Sequence, residues 1–367
     1  MSKVLETRLE IDLKALESNF NLLKSYLSPK TKMMGVVKAF AYGTDSVIIG
    51  KHLVEVGAEH LAVAYIEEGV RLRKAGVDVP ILVFYPQLEE IENLIDYRLT
   101  PSVYTHHFLE GLCQELAHHH VDALSVHLKI NTGLNRLGFE VSELDSVLKH
   151  LNSEPKLKVA GVFSHLAASG NKNEIEFTKT QISKFEEARG YFKANLTYAF
   201  ESHICNSSGI LNYPEAEYDM VRAGIALYGY GNNPTEHKML KAVASLKTVI
   251  AQLRTIQKGD SVGYERKFKA ENTTKIATLP LGYADGISRI FGNGKARVLI
   301  NGTKAPIVGN VCMDTLMVDV TGIDCEEGDE VEVFGKNNTV IDFDIEHQTI
   351  PYEVITRISQ RVTRVLV

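Results

Sequence analysis

Eight short apolar runs, most separated by segments with helical periodicity, constrain this chain more than any other feature. The runs are Met33 to Ala39, Leu61 to Tyr65, Ile81 to Tyr85, Leu99 to Val103, Leu124 to Ile130, Val159 to Phe163, Leu196 to Phe200 and Tyr218 to Ala223. Strands that alternate with helices pair in parallel, and eight of them satisfy a (β/α)8 barrel; an open doubly wound sheet carries the same local signals. A helix is expected behind the N-cap Asp12, since Leu13, Leu16, Phe20, Leu23 and Leu27 recur at three- and four-residue steps. Val47, Ile48, His52 and Val56 suggest another after the first run.

Beyond Pro234 the helical spacing gives way to β-type runs. Val298–Ile300 and Pro306–Val308 flank Asn301-Gly302, a hairpin signal because both turn positions tolerate positive φ. Val331 and Val333 alternate with Glu330 and Glu332 before the turn residues Lys336-Asn337-Asn338. The expectation is therefore an α/β chain with a barrel domain over residues 1–234 and an all-β domain over 235–367.

Composition narrows the function classes. Forty basic residues stand against 46 acidic ones, a net charge of −6, and no long basic run offers itself to nucleic acid. The four cysteines form no CxxC pair, which fits a reducing compartment and argues against a structural zinc. The charged N-terminus and the absence of a membrane-length apolar run point to a cytoplasmic protein without a membrane anchor.

In a (β/α)8 barrel the residues that close strands converge on one mouth. Lys38 closes the first run, Arg136 follows the fifth, Ser164 and His165 close the sixth, His203 and Ser207 follow the seventh, and Arg222 closes the eighth. Each alone reads as a solvated or structural residue; their common placement is what marks them. Ser207-Ser208-Gly209 and Gly224-Ile225 supply small residues after strand ends, suited to backbone N–H groups around a phosphate. His118-His119-His120 invites a metal reading, but consecutive residues do not share a helix face, so the run reads as a solvated helix end.

The block Val36-Val37-Lys38-Ala39-Phe40-Ala41-Tyr42-Gly43 resembles the cofactor-lysine signature of the alanine racemases. Further family-like blocks follow in order: Leu128 to Gly138, Phe163 to Ala167, His203 to Ser207, Met220 to Ile225, Val262-Gly263-Tyr264, Gly282 to Gly286, Val311 to Asp314 and Pro351-Tyr352-Glu353. The resemblance implies a TIM-type barrel followed by a C-terminal β domain. It also implies a head-to-tail homodimer in which one chain's β domain completes the other's active site. Lys38 would carry pyridoxal 5'-phosphate and act as one base in alanine racemisation, with Tyr264 from the partner chain as the other. Arg222 would meet the pyridine nitrogen and His165 would link Arg222 to Tyr264. Tyr42, Ser207, Gly224, Ile225 and Tyr352 would bind the phosphate. Arg136 and the Met313 backbone N–H would meet the substrate carboxylate, Tyr283 would narrow the entrance, and Lys129 is a candidate for carbamylation. No metal is implied, and the product D-alanine would serve peptidoglycan.

Phe40, Thr44-Asp45, Ser169-Gly170 and Asn310 depart from common family residues at non-catalytic positions near the entrance. The competing readings are a racemase of serine or of broader specificity, a basic amino-acid decarboxylase, and a non-enzymatic pyridoxal-phosphate carrier. The decarboxylase would need a catalytic-cysteine context that Cys312 and Cys325 do not provide. The carrier would lack the residues after 234. The chain could also be one half of a fusion with a cell-wall ligase.

Overall fold

The computed structural model describes residues 7–119, 121–345 and 348–367, so the first six residues of the charged N-terminus and His120 lie outside it. Two compact units emerge. One holds Glu17–Ala41 and Ser46–Leu240; the other holds the described residues up to Leu16, Tyr42–Asp45 and Lys241–Val367.

Strand β1 (Arg8–Ile11) belongs to the second unit. The first unit is built on β2 (Lys32–Val36), β3 (His60–Val63), β4 (Ile81–Val83), β5 (Thr100–Val103), β6 (Leu124–Lys129), β7 (Leu157–Phe163), β8 (Glu201–His203) and β9 (Met220–Ala223). They form one parallel sheet in the order β8-β7-β6-β5-β4-β3-β2-β9. Its ends nearly close: Asp219 N–H donates to the Ser202 carbonyl at 3.2 Å and Arg222 N–H to the Cys205 carbonyl at 3.0 Å. With helices such as Ser46–Glu55, Ile66–Lys74, His106–Leu116 and Ile175–Asn195 between the strands, this is the (β/α)8 barrel.

Local chemistry explains the elements. The helix Leu13–Lys24 starts where the Asp12 carboxylate accepts the Ala15 N–H at 2.9 Å. In Ile66–Lys74 the acids Glu67 and Glu68 sit in the first turn and Arg71, Arg73 and Lys74 in the last, complementing the helix dipole, while Ile66, Val70 and Leu72 are buried. In Ser46–Glu55 the buried stripe is Ile49, Gly50 and Leu53; Val47, Ile48, His52 and Val56 are only half-buried. His118 is exposed just past the helix His106–Leu116.

Two barrel elements differ from the run-based reading. The seventh strand is Glu201–His203, not the apolar Leu196–Phe200, which precedes it. Its polar side chains bond within the barrel unit, Glu201 to Lys32 and Ser202 to Arg189, so hydrophobicity does not mark it. At the first strand the chain leaves extended conformation after Val36, and Ala39, Phe40, Ala41, Tyr42 and Gly43 all take positive φ, 53°, 53°, 50°, 54° and 85°. Lys38 therefore does not close a strand; it opens one turn of left-handed helix. Such backbone costs roughly 1–2 kcal/mol per L-residue, so it persists only where the surroundings fix it.

The second unit carries β10 (Ala244–Val249), β11 (Gln252–Ile256), β12 (Ser261–Val262), β13 (Phe268–Lys269), β14 (Thr274–Leu279), β15 (Arg297–Ile300), β16 (Thr303–Val308), β17 (Leu316–Asp319), β18 (Glu330–Phe334) and β19 (Thr363–Leu366). Apart from the β12–β13 pair these join β1 in one sheet, ordered β11-β14-β17-β16-β15-β18-β10-β1-β19. Every pairing is antiparallel except β1 with β19. Asn301 and Gly302, at φ 47° and 78°, make the two-residue turn between β15 and β16. Leu246, Val298, Ile300, Val331, Val333 and Phe334 are buried. Glu332 is buried too, accepting the backbone N–H groups of Asn337 and Asn338, so this strand is more enclosed than simple alternation suggests.

Candidate active site

Arg222 organises the C-terminal end of the barrel strands. Its NH1 donates to His203 Nδ1 at 2.6 Å and to the His203 carbonyl at 3.2 Å. NH2 donates to the Ser164 carbonyl at 2.6 Å, to His165 Nδ1 at 3.2 Å and to the Ile204 carbonyl at 3.2 Å. Among the described residues Nε–H has no acceptor, and that nitrogen is not sealed from the surface. Burial lowers the guanidinium pKa to about 10, so it stays charged at neutral pH.

A guanidinium only donates, so Nδ1 of both His165 and His203 must accept, and each ring carries its proton on Nε2. His203 Nε2–H then donates to His127 Nδ1 at 2.9 Å, which puts the His127 proton on its own Nε2. Burial and the nearby Arg222 charge hold all three imidazoles well below the ordinary histidine range, His127 at about 3. They are neutral. Gly161 on β7 leaves room for this chain, because a Cβ there would stand 2.5 Å from the His127 ring.

Two lysines near enough to act on His165 have lowered pKa values. Lys129, buried at the end of β6, has its ammonium 4.6 Å from the Phe163 ring centre. Burial, then Arg222 and Arg136, bring its pKa down to about 7. Lys38 lies with Nζ 5.8 Å from the centre of the Phe84 ring. Burial and Arg136 lower its pKa, while Glu68 acts in the opposite sense. Glu68 also accepts the Ala39 N–H at 2.6 Å with one oxygen and the Ala64 and Tyr65 N–H groups at 2.7 and 3.2 Å with the other. It fixes the start of the left-handed turn. Phe40 lies under the Arg71 guanidinium at 5.0 Å.

Ser207 Oγ accepts the Gly224 and Ala226 N–H groups at 3.0 and 3.3 Å, tying the ends of β8 and β9 together. The backbone N–H groups of Ser207, Ser208 and Ile225 have no acceptor among the described residues and remain available to an anion. An amine of lowered pKa, a buried donor-only cation with one free N–H and a set of free amides match a pyridoxal phosphate: carbonyl, ring nitrogen and phosphate.

The remaining candidates lie in the second unit. Tyr42 is buried, with its ring centre 6.1 Å from that of Tyr352, and burial raises its hydroxyl pKa. Tyr264, Tyr283 and Met313 are 73, 43 and 53% exposed. Asn310 donates from Nδ2 to the Tyr264 carbonyl at 3.3 Å. The Tyr283 and Ala284 N–H groups donate to the Cys312 and Met313 carbonyls, both at 3.0 Å, and the Met313 N–H has no acceptor among the described residues.

Sequence reading missed Glu68, His127 and Gly161. Tyr65, which precedes the helix of Glu68, is not a capping residue type, so nothing local marks Glu68, and His127 and Gly161 look like ordinary strand interior. A cavity of about 780 Å³, lined among others by Lys32, His60, Ser125, His127 and Glu201, opens at the strands' N-terminal ends and contains none of the sequence-derived candidates. No helix among the described residues is long and apolar enough to cross a membrane.

Comparison with known proteins identifies the family. Residues 11–232 match the family described as alanine racemase, N-terminal domain, and residues 243–366 the alanine racemase, C-terminal domain. The chain is 39% identical to an alanine racemase of Halothermothrix orenii over 364 residues, 97% of this chain and 95% of that one. It is 37% identical to alanine racemase 1 of Clostridium acetobutylicum over 369 residues, 98% of this chain and 94% of that one. Among solved structures, alanine racemase from the D-cycloserine producing Streptomyces lavendulae superposes with a TM-score of 0.92 at 29% identity, covering 100% of this chain and 98% of that one. The Bartonella henselae enzyme with covalently bound pyridoxal phosphate gives 0.87 at 30% identity, covering 99% and 100%.

Proposed function

The chain belongs to the alanine racemase family of isomerases, and from that premise we propose that it interconverts L- and D-alanine by two bases, Lys38 and the partner subunit's Tyr264. The observation that carries the reading is the free Nε–H of an Arg222 whose other donors are committed.

Bound pyridoxal phosphate supplies the electron sink that acidifies the substrate Cα–H. Lys38, with its lowered pKa, is an amine able to bond the cofactor and to exchange a proton on one face. Arg222 offers only a donor to the ring nitrogen, which keeps a proton off it. The free amides of Ser207 and Ile225, with Gly224 and the hydroxyls of Tyr42 and Tyr352, hold the phosphate. Arg136 and the Met313 N–H orient the carboxylate. Tyr283 narrows the approach, and His165 passes the Arg222 hydrogen bond on to the partner subunit's Tyr264. The exposure of Tyr264, Tyr283 and Met313 supports a homodimer in which residues 235–367 complete a site held on the partner's residues 1–234. Lys129, at a pKa of about 7, keeps a neutral fraction able to take up carbon dioxide, and carbamylation would set an anion beside Arg222 and Arg136. The product, D-alanine, would feed peptidoglycan synthesis in the cytoplasm.

The test is racemisation by the purified protein with added pyridoxal phosphate, from L- and D-alanine separately and against serine. Alanine should reach an equal mixture from either side. Lys38→Ala should lose the borohydride-reducible cofactor bond and at least about a thousandfold in rate. Near-normal turnover in that variant, or a clear preference for serine, would reject the reading.

A further inference from the structure

Arg361 joins two loops that no other side chain links among the described hydrogen bonds. Its Nε donates to Asp285 Oδ1 at 2.7 Å and its NH2 to Asp285 Oδ2 at 3.0 Å, the bidentate fork; NH2 also reaches Asp314 Oδ1 at 2.7 Å. Asp285 is buried, and its Oδ2 also accepts the Gly282 N–H at 2.7 Å. The second loop is held through its carbonyls: Cys312 and Met313 accept the Tyr283 and Ala284 N–H groups. The approach is so close that a Cβ on Gly282 would lie 2.3 Å from the Cys312 carbonyl oxygen and 2.4 Å from that of Met313.

The direction of one donor follows. In a trans peptide the C=O and N–H point opposite ways. The Cys312 carbonyl is drawn toward Tyr283, so the N–H of that same peptide, which belongs to Met313, points away from the 282–286 loop. We propose that Arg361 is a positioning residue for the substrate carboxylate: by clamping Asp285 to Asp314 it aims the free Met313 N–H and sets Tyr283 beside it. This rests on the reading that Met313 meets the carboxylate. Arg361 itself touches no substrate. An ordinary half-exposed ion pair contributes little, but a fork onto a buried carboxylate that itself caps the loop determines geometry.

The test uses the cofactor-loaded enzyme and two probes, propionate, which has the carboxylate without the amine, and ethylamine, which has the reverse. Arg361→Ala should raise the KM for L-alanine and the propionate inhibition constant together by about tenfold, lower kcat less than threefold, and leave ethylamine binding unchanged. Arg361→Lys, with one charge and no fork, should recover only part of the loss. Amide hydrogen exchange at Tyr283 and Ala284 should quicken in Arg361→Ala. If Arg361→Ala does not fold, Asp314→Ala, which removes one arm and keeps the Asp285 fork, should show the same selective loss of propionate. Equal weakening of propionate and ethylamine, or no change in either, overturns the proposal. A wild-type enzyme that racemises alanine but ignores propionate overturns the assignment of Met313 instead.

Discussion

Lys129 shows how one residue's surroundings become a measurable property. Its pKa in the fold is about 7, against about 10.5 in the unfolded chain, because burial and two guanidinium groups disfavour its charge. Between those values the unfolded chain binds more protons, so stability rises with pH; below 7 both states are protonated and the buried charge is a constant penalty. Lys129→Met should therefore be more stable than wild type at pH 6.5, and the advantage should shrink by at most about 1.4 kcal/mol per pH unit above 7. Urea unfolding in carbon dioxide-free buffer at several pH values measures this, and parallel profiles would show that Lys129 is not buried as a titrating amine. The role proposed for Lys129 rests on family likeness alone. Its lowered pKa comes from burial, Arg222 and Arg136, an environment that sequence does not place around it.

At the scale of elements, most of the barrel was legible because its strands are buried on both faces and read as apolar runs. The exceptions are where polar work is done. Strand β8 carries Glu201, Ser202 and His203, all bonded within the barrel unit, and no apolar run marks it. Gly161 is part of the same interior: with a Cβ it would strike the His127 ring. Gly161→Ala should cost about 1–3 kcal/mol by overpacking, and much less in a His127→Ala background where the ring is gone. Equal costs in the two backgrounds, read by urea unfolding with circular dichroism, would mean that Gly161 serves something other than the histidine chain.

For the molecule as a whole, the sequence located the change from helical to β periodicity but not the strand β1, which lies more than two hundred residues before its neighbour β10 and pairs with it and β19. Nothing local announces a partner so distant. Arg361 was missed for a similar reason: alone it is a surface arginine, and only the pairing of two loops gives it a task. If sites mix chains, a dimer of Lys38→Ala with Tyr264→Phe holds one doubly damaged site and one intact one. Random exchange of the two inactive variants should then restore up to about a quarter of wild-type activity. Verified exchange without recovery would place both bases in one chain.

The turn from Ala39 to Gly43 asks of five successive residues the backbone preferred by mirror-image amino acids. In a chemically ligated chain, D-alanine at positions 39 and 41 would sit there unstrained, whereas L-proline, locked at negative φ, could not enter at all. A protein assembled wholly from L-residues thus keeps, next to the lysine proposed to carry its cofactor, a short passage written in the handedness of the product proposed for it.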